Sequence, residues 1–211
     1  MFSNFTKCFT AGALAIVSVA AMNAAAQTKT RSGSRGTASA TGAAAPNKQG
    51  GVTAVGSATA TGTNGATASG HAYASGNGQG TGKSSTTTSF KGANGASGSS
   101  QGSAKWSNGT VNRQGSAQAS GTKGSVQSSG SSQVSSSGKF SGQRSTTAKG
   151  TNGSSYQGNT SYQNGSATHS TEATNKSGDS YQGSTTATKG QGATHTGTCK
   201  NASGSVIPCK Q

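Results

Sequence analysis

Apolar and polar residues alternate along the chain in short runs, with alanine as the usual apolar partner. Examples are Ser57-Ala58-Thr59-Ala60-Thr61, His71-Ala72-Tyr73-Ala74, Ser116-Ala117-Gln118-Ala119 and Ser184-Thr185-Thr186-Ala187-Thr188. A period of two places alternate side chains on the two faces of a strand. Helix is disfavoured, because glycine is spread throughout and no 3.6-residue stripe exists. Turn signals separate the runs: Asn-Gly pairs at Asn64-Gly65, Asn77-Gly78, Asn94-Gly95, Asn108-Gly109, Asn152-Gly153 and Asn164-Gly165, with related breaks at Lys123-Gly124, Gly138-Lys139, Ser177-Gly178 and Lys189-Gly190. Asn-Gly supplies the two positive φ angles of a type I′ turn, so each pair predicts a tight hairpin loop. The pattern therefore predicts an all-β fold, an irregular antiparallel hairpin array or a solenoid with an interior of Ala, Ser, Thr and Gly.

Composition pulls the other way. Only 27% of the residues are hydrophobic, against about 45–50% in an ordinary domain. Beyond residue 26 there is no Leu and no Met. So few bulky side chains cannot offset the conformational entropy lost in ordering the chain around a conventional core. What remains is backbone pairing over small side chains, or a largely disordered chain, as low hydrophobicity and positive net charge favour.

The chain divides into four parts. Residues 1–26 are expected to be a secretory signal peptide: Lys7 in the head, an apolar helix-forming run from Phe9 to Ala21, and a small-residue site at Ala24 and Ala26 that leaves Gln27 as the first mature residue. The apolar run is shorter than the roughly 20 residues a membrane helix needs, so no membrane span is expected after cleavage. Export to the periplasm, cell surface or exterior of a bacterium is the expected location. Residues 27–50, with Lys29, Arg31, Arg35 and Lys48, read as a flexible basic arm. Residues 51–195 form the degenerate β-repeat or disordered region. Residues 196–211 form a tail in which Cys199 and Cys209 are expected to pair, as thiols in exported chains do.

Candidate chemistry is sparse. The mature part has one Glu and one Asp, Glu172 and Asp179, and the histidines His71, His169 and His195 lie far apart. No catalytic set, metal site or cofactor site is expected, and the protein is not expected to be an enzyme. The strong property is charge. The chain carries a formal +15, scattered rather than clustered. Lys29, Arg31, Arg35, and the pairs Phe90-Lys91, Lys105-Trp106 and Lys139-Phe140 are the candidate polyanion contacts. Ser161-Tyr162-Gln163-Asn164-Gly165-Ser166-Ala167 resembles the Gln/Asn/Gly-containing repeats of curli fibre subunits. Tyr181-Gln182-Gly183-Ser184-Thr185-Thr186-Ala187-Thr188 resembles the Gly-Ser-Thr repeats of ice-nucleation proteins. The regular ladders of the first and the fixed repeat length of the second are missing.

The expected function is that of a structural or interaction protein of the cell surface or extracellular matrix. It would bind anionic surfaces non-specifically through dispersed charge and could self-associate through β edges. Two alternatives compete with it: a disordered cationic binder of lipopolysaccharide, acidic polysaccharide or extracellular DNA, and a Thr-rich ice- or surface-active protein.

Overall fold

A computed structural model describes residues 26–209. The expected signal segment and its Ala24 lie outside the described residues. Ala26 is the first described residue, and Gln27 opens the first strand. Fourteen strands follow in chain order: β1 (Gln27–Gly33), β2 (Gly36–Pro46), β3 (Val52–Gly62), β4 (Thr67–Gly76), β5 (Gly82–Lys91), β6 (Ser97–Ser107), β7 (Thr110–Gly121), β8 (Gly124–Val134), β9 (Phe140–Gly150), β10 (Ser155–Gln163), β11 (Ser166–Thr174), β12 (Ser180–Thr188), β13 (Gly192–Lys200) and β14 (Val206–Ile207). They form one antiparallel sheet whose spatial order is the sequence order. The fold is thus the hairpin array and not the solenoid.

Residues 27–50 are not a free arm. β1 and β2 pair from Gln27 with Gly42 to Gly33 with Gly36, and β2 pairs with β3 from Gly36–Gly62 to Pro46–Val52. The reason is local. Thr37-Ala38-Ser39-Ala40-Thr41 carries the same alternation as β3, and basic residues are tolerated on β1 because it is the edge strand, exposed along its whole length.

Every described strand pair is in continuous register, so one residue from each strand lines up in rows across the sheet. The alternation then sorts side chains by face. One row runs Ser32, Thr37, Thr61, Thr67, Lys91, Ser97, Ser120, Ser125, Lys149, Ser155, Thr174, Ser180, Lys200, all hydroxyl or lysine, and ends on Val206 of β14. The neighbouring row, on the opposite face, runs Arg31, Ala38, Ala60, Ala68, Phe90, Gly98, Ala119, Val126, Ala148, Tyr156, Ala173, Tyr181, Cys199, Ile207. The sheet has a hydroxyl face and an alanine face. Val55 and Tyr73 are bulky residues on the former, whereas Phe90, Trp106, Phe140, Tyr156, Tyr162 and Tyr181 share the latter.

Among the described residues no hydrophobic side chain is buried, and Phe90, Val126 and Phe140 stay about two-fifths exposed (37%, 39% and 43%). Cohesion comes from the backbone ladder and from cross-strand pairs. Hydroxyls bond their register partners: Thr28 Oγ1 with Thr41 Oγ1 at 2.8 Å, Ser69 Oγ with Ser89 Oγ at 2.8 Å, Thr88 Oγ1 with Ser100 Oγ at 2.7 Å. On the alanine face, aromatic rings lie over glycines. Phe90 covers its partner Gly98, Trp106 covers its partner Gly82, and Tyr181 covers Gly183. A ring laid on a bare backbone shields its hydrogen bonds from water, the aromatic rescue of a strand glycine.

The loops correct the turn assignment in part. Asn108-Gly109 and Asn164-Gly165 have both φ positive (49° and 75°, 53° and 80°), as a type I′ turn requires. Asn64, Asn94 and Asn152 do not. There the Asn Oδ1 accepts the amide two residues ahead (Ala66 at 3.1 Å, Ala96 at 3.2 Å, Ser154 at 3.1 Å), and only the following glycine is left-handed. Each of these loops closes with a longer bond, such as Gly62 N to the Ala66 carbonyl at 2.8 Å. Asn77-Gly78 sits in a similar loop, in which Asn77 Oδ1 accepts both the Gln79 and Thr81 amides. A side chain able to cap its own turn removes the need for the second positive φ.

Cys199 and Cys209 are disulfide-bonded, with Cα atoms 5.3 Å apart. The tail is not separate from the sheet, since Cys199 belongs to β13 and pairs with Ile207 of β14. The short β14 and the bridge cover only the last two residues of β13 and leave residues 192–198 as an open edge. Replacing both cysteines by serine is expected to cost about 2–3 kcal/mol on the loop-entropy account. Hydrogen exchange should localise the loosening to β13 and β14. Unchanged protection of the Lys200 amide would contradict this.

Candidate functional site: a hydroxyl and amide groove

Between β5 and β11 the hydroxyl face is hollowed into an open groove of about 900 Å³ that runs across the strands. It crosses from β5 to β11, so it is roughly 29 Å long at about 4.8 Å per strand. Two adjacent same-face rows supply the side chains. The first runs from Thr87 through Gln101, Ser116, Ser129, Ser145 and Asn159 to Ser170, and the second from Ser85 through Ser103, Gln114, Ser131, Gln143 and Ser161 to Thr168. All are hydroxyl or amide residues, with neither a charge nor an apolar group. Between the two rows the backbone reaches the groove at Gly102, Gly115 and Gly130, which are register partners.

Outside the groove some hydroxyls and amides bond across strands, as in Thr53–Ser75 at 3.0 Å and Gln133–Asn112 at 2.8 Å, and others, such as Thr59, Gln127 and Gln157, do not. Inside it, Thr168 bonds Thr186 at 3.4 Å, and the other lining side chains of the two rows make no side-chain hydrogen bond to any described residue. Gln101, Gln114, Gln143 and Asn159 each hold out both an amide donor and a carbonyl acceptor.

Lysines flank the groove on the same face. Lys83 and Lys105 are register partners one row beyond it, and Lys105 lines its continuation toward the β6–β7 loop. On the other side, beyond an intervening row that runs from Ser89 through Gln118 and Gln127 to Glu172, stand Lys91 and Lys149, in the row that also holds Lys200. Lys83 Nζ sits 5.7 Å from the centre of the Tyr73 ring.

The sequence-predicted contacts are dispersed by the fold. Lys29 and Arg31 lie on the alanine-face side of edge strand β1, and Arg35 lies in its loop. Phe90 and Lys91, like Lys105 and Trp106, point to opposite faces, so neither forms a combined cation–aromatic site. Lys139 is in the β8–β9 loop, and Phe140 packs on Tyr162 with ring centroids 5.1 Å apart. His169 and His195 occupy one row of the alanine face, with Nδ1 bonded to Thr160 at 2.8 Å and to Thr185 at 2.7 Å. Among the described residues, no group of three metal-ligating side chains comes together.

The groove amides carry no distinguishing signal in the sequence. Each is only a Gln or Asn at mid-strand, and the repetition acquires meaning once the register is known. No family model, curated protein or solved structure matches this chain.

Proposed function

We propose that this is an exported structural or interaction protein of the cell surface or extracellular matrix, attaching to anionic surfaces and polymers through dispersed positive charge. One observation carries the proposal: a coreless sheet that exposes both faces and spreads its cations over them and over the loops at both ends. Lys83, Lys91, Lys105, Lys149 and Lys200 stand on the hydroxyl face, Arg113 and Arg144 on the other, and Lys48, Lys123, Lys139, Lys176 and Lys189 in loops. With only two acidic residues in the sequence, this field meets almost no internal opposition. It attracts polyanions over a distance set by ionic strength. The regular register supports the ordered array over the disordered binder. Self-association through β edges has two edges available: β1, where Lys29 and Arg31 set like charge against a second copy, and residues 192–198 of β13, which β14 leaves unpaired.

The test is retention on immobilised heparin across a salt series. Apparent affinity is expected to fall by tenfold or more between about 50 and 200 mM salt, the behaviour of multi-site counterion release. Retention indifferent to ionic strength would overturn the proposal.

A further inference from the structure

We infer that the groove across β5–β11 is a binding site for a linear, hydroxyl-rich anionic glycan of the polyuronate class, lying perpendicular to the strands. The inference rests on the charge-based reading and adds a defined site to it. Three features of the groove converge. Its two rows are hydroxyl and amide groups throughout, matching a ligand that presents many hydroxyls. All but Thr168 make no side-chain hydrogen bond to a described residue, so fourteen side chains in two adjacent rows leave thirteen sets of donors and acceptors open to a ligand in one place. The strand repeat of about 4.8 Å is close to the rise of one sugar in an extended polysaccharide, so successive sugars meet equivalent rows.

The distribution of charge selects among polymers. A phosphate polymer takes its affinity from cations along its path, and the two rows of this groove have none. Arg144, which lines it from between the rows, belongs to the opposite face, where its Nε donates to Ser128 Oγ at 2.9 Å. The lysines stand off to both sides, Lys83 and Lys105 in the adjacent row on one and Lys91 and Lys149 one row further out on the other. That arrangement suits a chain whose hydroxyls face the floor while its carboxylates project sideways. Gln101, Gln114, Gln143 and Asn159 are the residues that read the ligand, because an amide donates to one sugar oxygen and accepts from a neighbouring hydroxyl.

The experiment measures binding of the purified protein to a polygalacturonate oligomer and to single-stranded DNA of equal charge, at fixed salt, by titration calorimetry. The quadruple variant Gln101→Ala, Gln114→Ala, Gln143→Ala, Asn159→Ala is compared with the loop variant Lys48→Gln, Lys123→Gln, Lys189→Gln. The circular dichroism of each must match the parent, as expected for exposed polar positions. The groove variant is expected to lose tenfold or more in polygalacturonate affinity with less than a twofold change for DNA. The loop variant is expected to weaken both polymers alike. If the groove variant binds polygalacturonate as the parent does, or loses DNA binding equally, the groove assignment is overturned while attachment by charge stands. If the parent binds neither polymer, both proposals fall together.

Discussion

Gly124→Ala is expected to destabilise the sheet by about 3 kcal/mol, far more than a single methyl group ordinarily costs. Gly124 follows the loop Thr122-Lys123 and has φ of 137°, a conformation open in practice only to glycine. It is also crowded. A Cβ there would run into the Lys149 carbonyl oxygen and come within 2.9 Å of the Gly150 Cα. Gly124 pairs with both Gly121 and Gly150, so the added methyl pushes apart the point where β7, β8 and β9 meet. Gly36 repeats the arrangement, with φ of 135° and its missing Cβ facing the Thr61 carbonyl. Gly138 is the control. Its φ is 77°, but nothing lies within 4 Å of a Cβ there, so Gly138→Ala should cost about 1 kcal/mol. Urea unfolding followed by the far-ultraviolet β signal measures both. Equal midpoints for the two variants would show that crowding adds nothing to the backbone requirement at the Gly-x-x-Gly loops.

Gly82→Val is expected to destabilise by about 1–3 kcal/mol, against the sign of intrinsic preference, since valine is a better strand former than glycine. Trp106 is the first reason, and the Ser75 carbonyl oxygen, 2.6 Å from a Cβ at this position, is the second. The indole ring covers the position a side chain at residue 82 would take, and Gly82 and Trp106 are register partners on β5 and β6. Valine must lift the indole off the backbone it shields. Trp106 is the chain's single tryptophan, so its fluorescence reports the event without interference. Emission should shift to the red and quenching by acrylamide should increase. A variant that is more stable than the parent, with unchanged emission, would show that the ring does not depend on the bare glycine. The effect weighs heavily because no buried core among the described residues compensates for it. Each cross-strand contact is a larger fraction of the total than in a two-layer protein.

The alternation of Ala with Ser and Thr is enough to place most strands, because a period of two survives without large side chains. Ser57-Ala58-Thr59-Ala60-Thr61 falls within β3 and Ser116-Ala117-Gln118-Ala119 within β7. The first two strands escape that reading. β1 shows its charge more plainly than its alternation, and Arg31 takes the apolar-face position there because an edge strand can send it into solvent. Asn108-Gly109 and Asn164-Gly165 form the expected tight turn, while at Asn64, Asn77, Asn94 and Asn152 the side chain caps a longer loop instead. The cysteine pairing needs only ten residues of separation and a turn-forming Asn-Ala-Ser-Gly between.

The groove is not legible in the sequence. Gln101 and Asn159 stand on β6 and β10 and share one row only because the four hairpins between them keep their register. Lys91, Lys149 and Lys200 likewise look scattered along the chain and stand in a single line across the sheet. The separation of Phe90 from Lys91, by contrast, follows from the strand period alone.

By itself the sequence determined a positively charged chain of small residues, punctuated by Asn- and Gly-led turns, without material for a buried centre, and narrowed the structure to paired strands or no fold. Those properties depend on residues adjacent or nearly adjacent in the chain. Only the tertiary structure decided which residues meet. Register is a joint outcome of every loop length and every strand pairing between two points, and one residue of slip would exchange the two faces. That is why the hydroxyl groove, the lysine row and the rings laid over glycines emerge from the folded sheet and not from any local stretch of sequence.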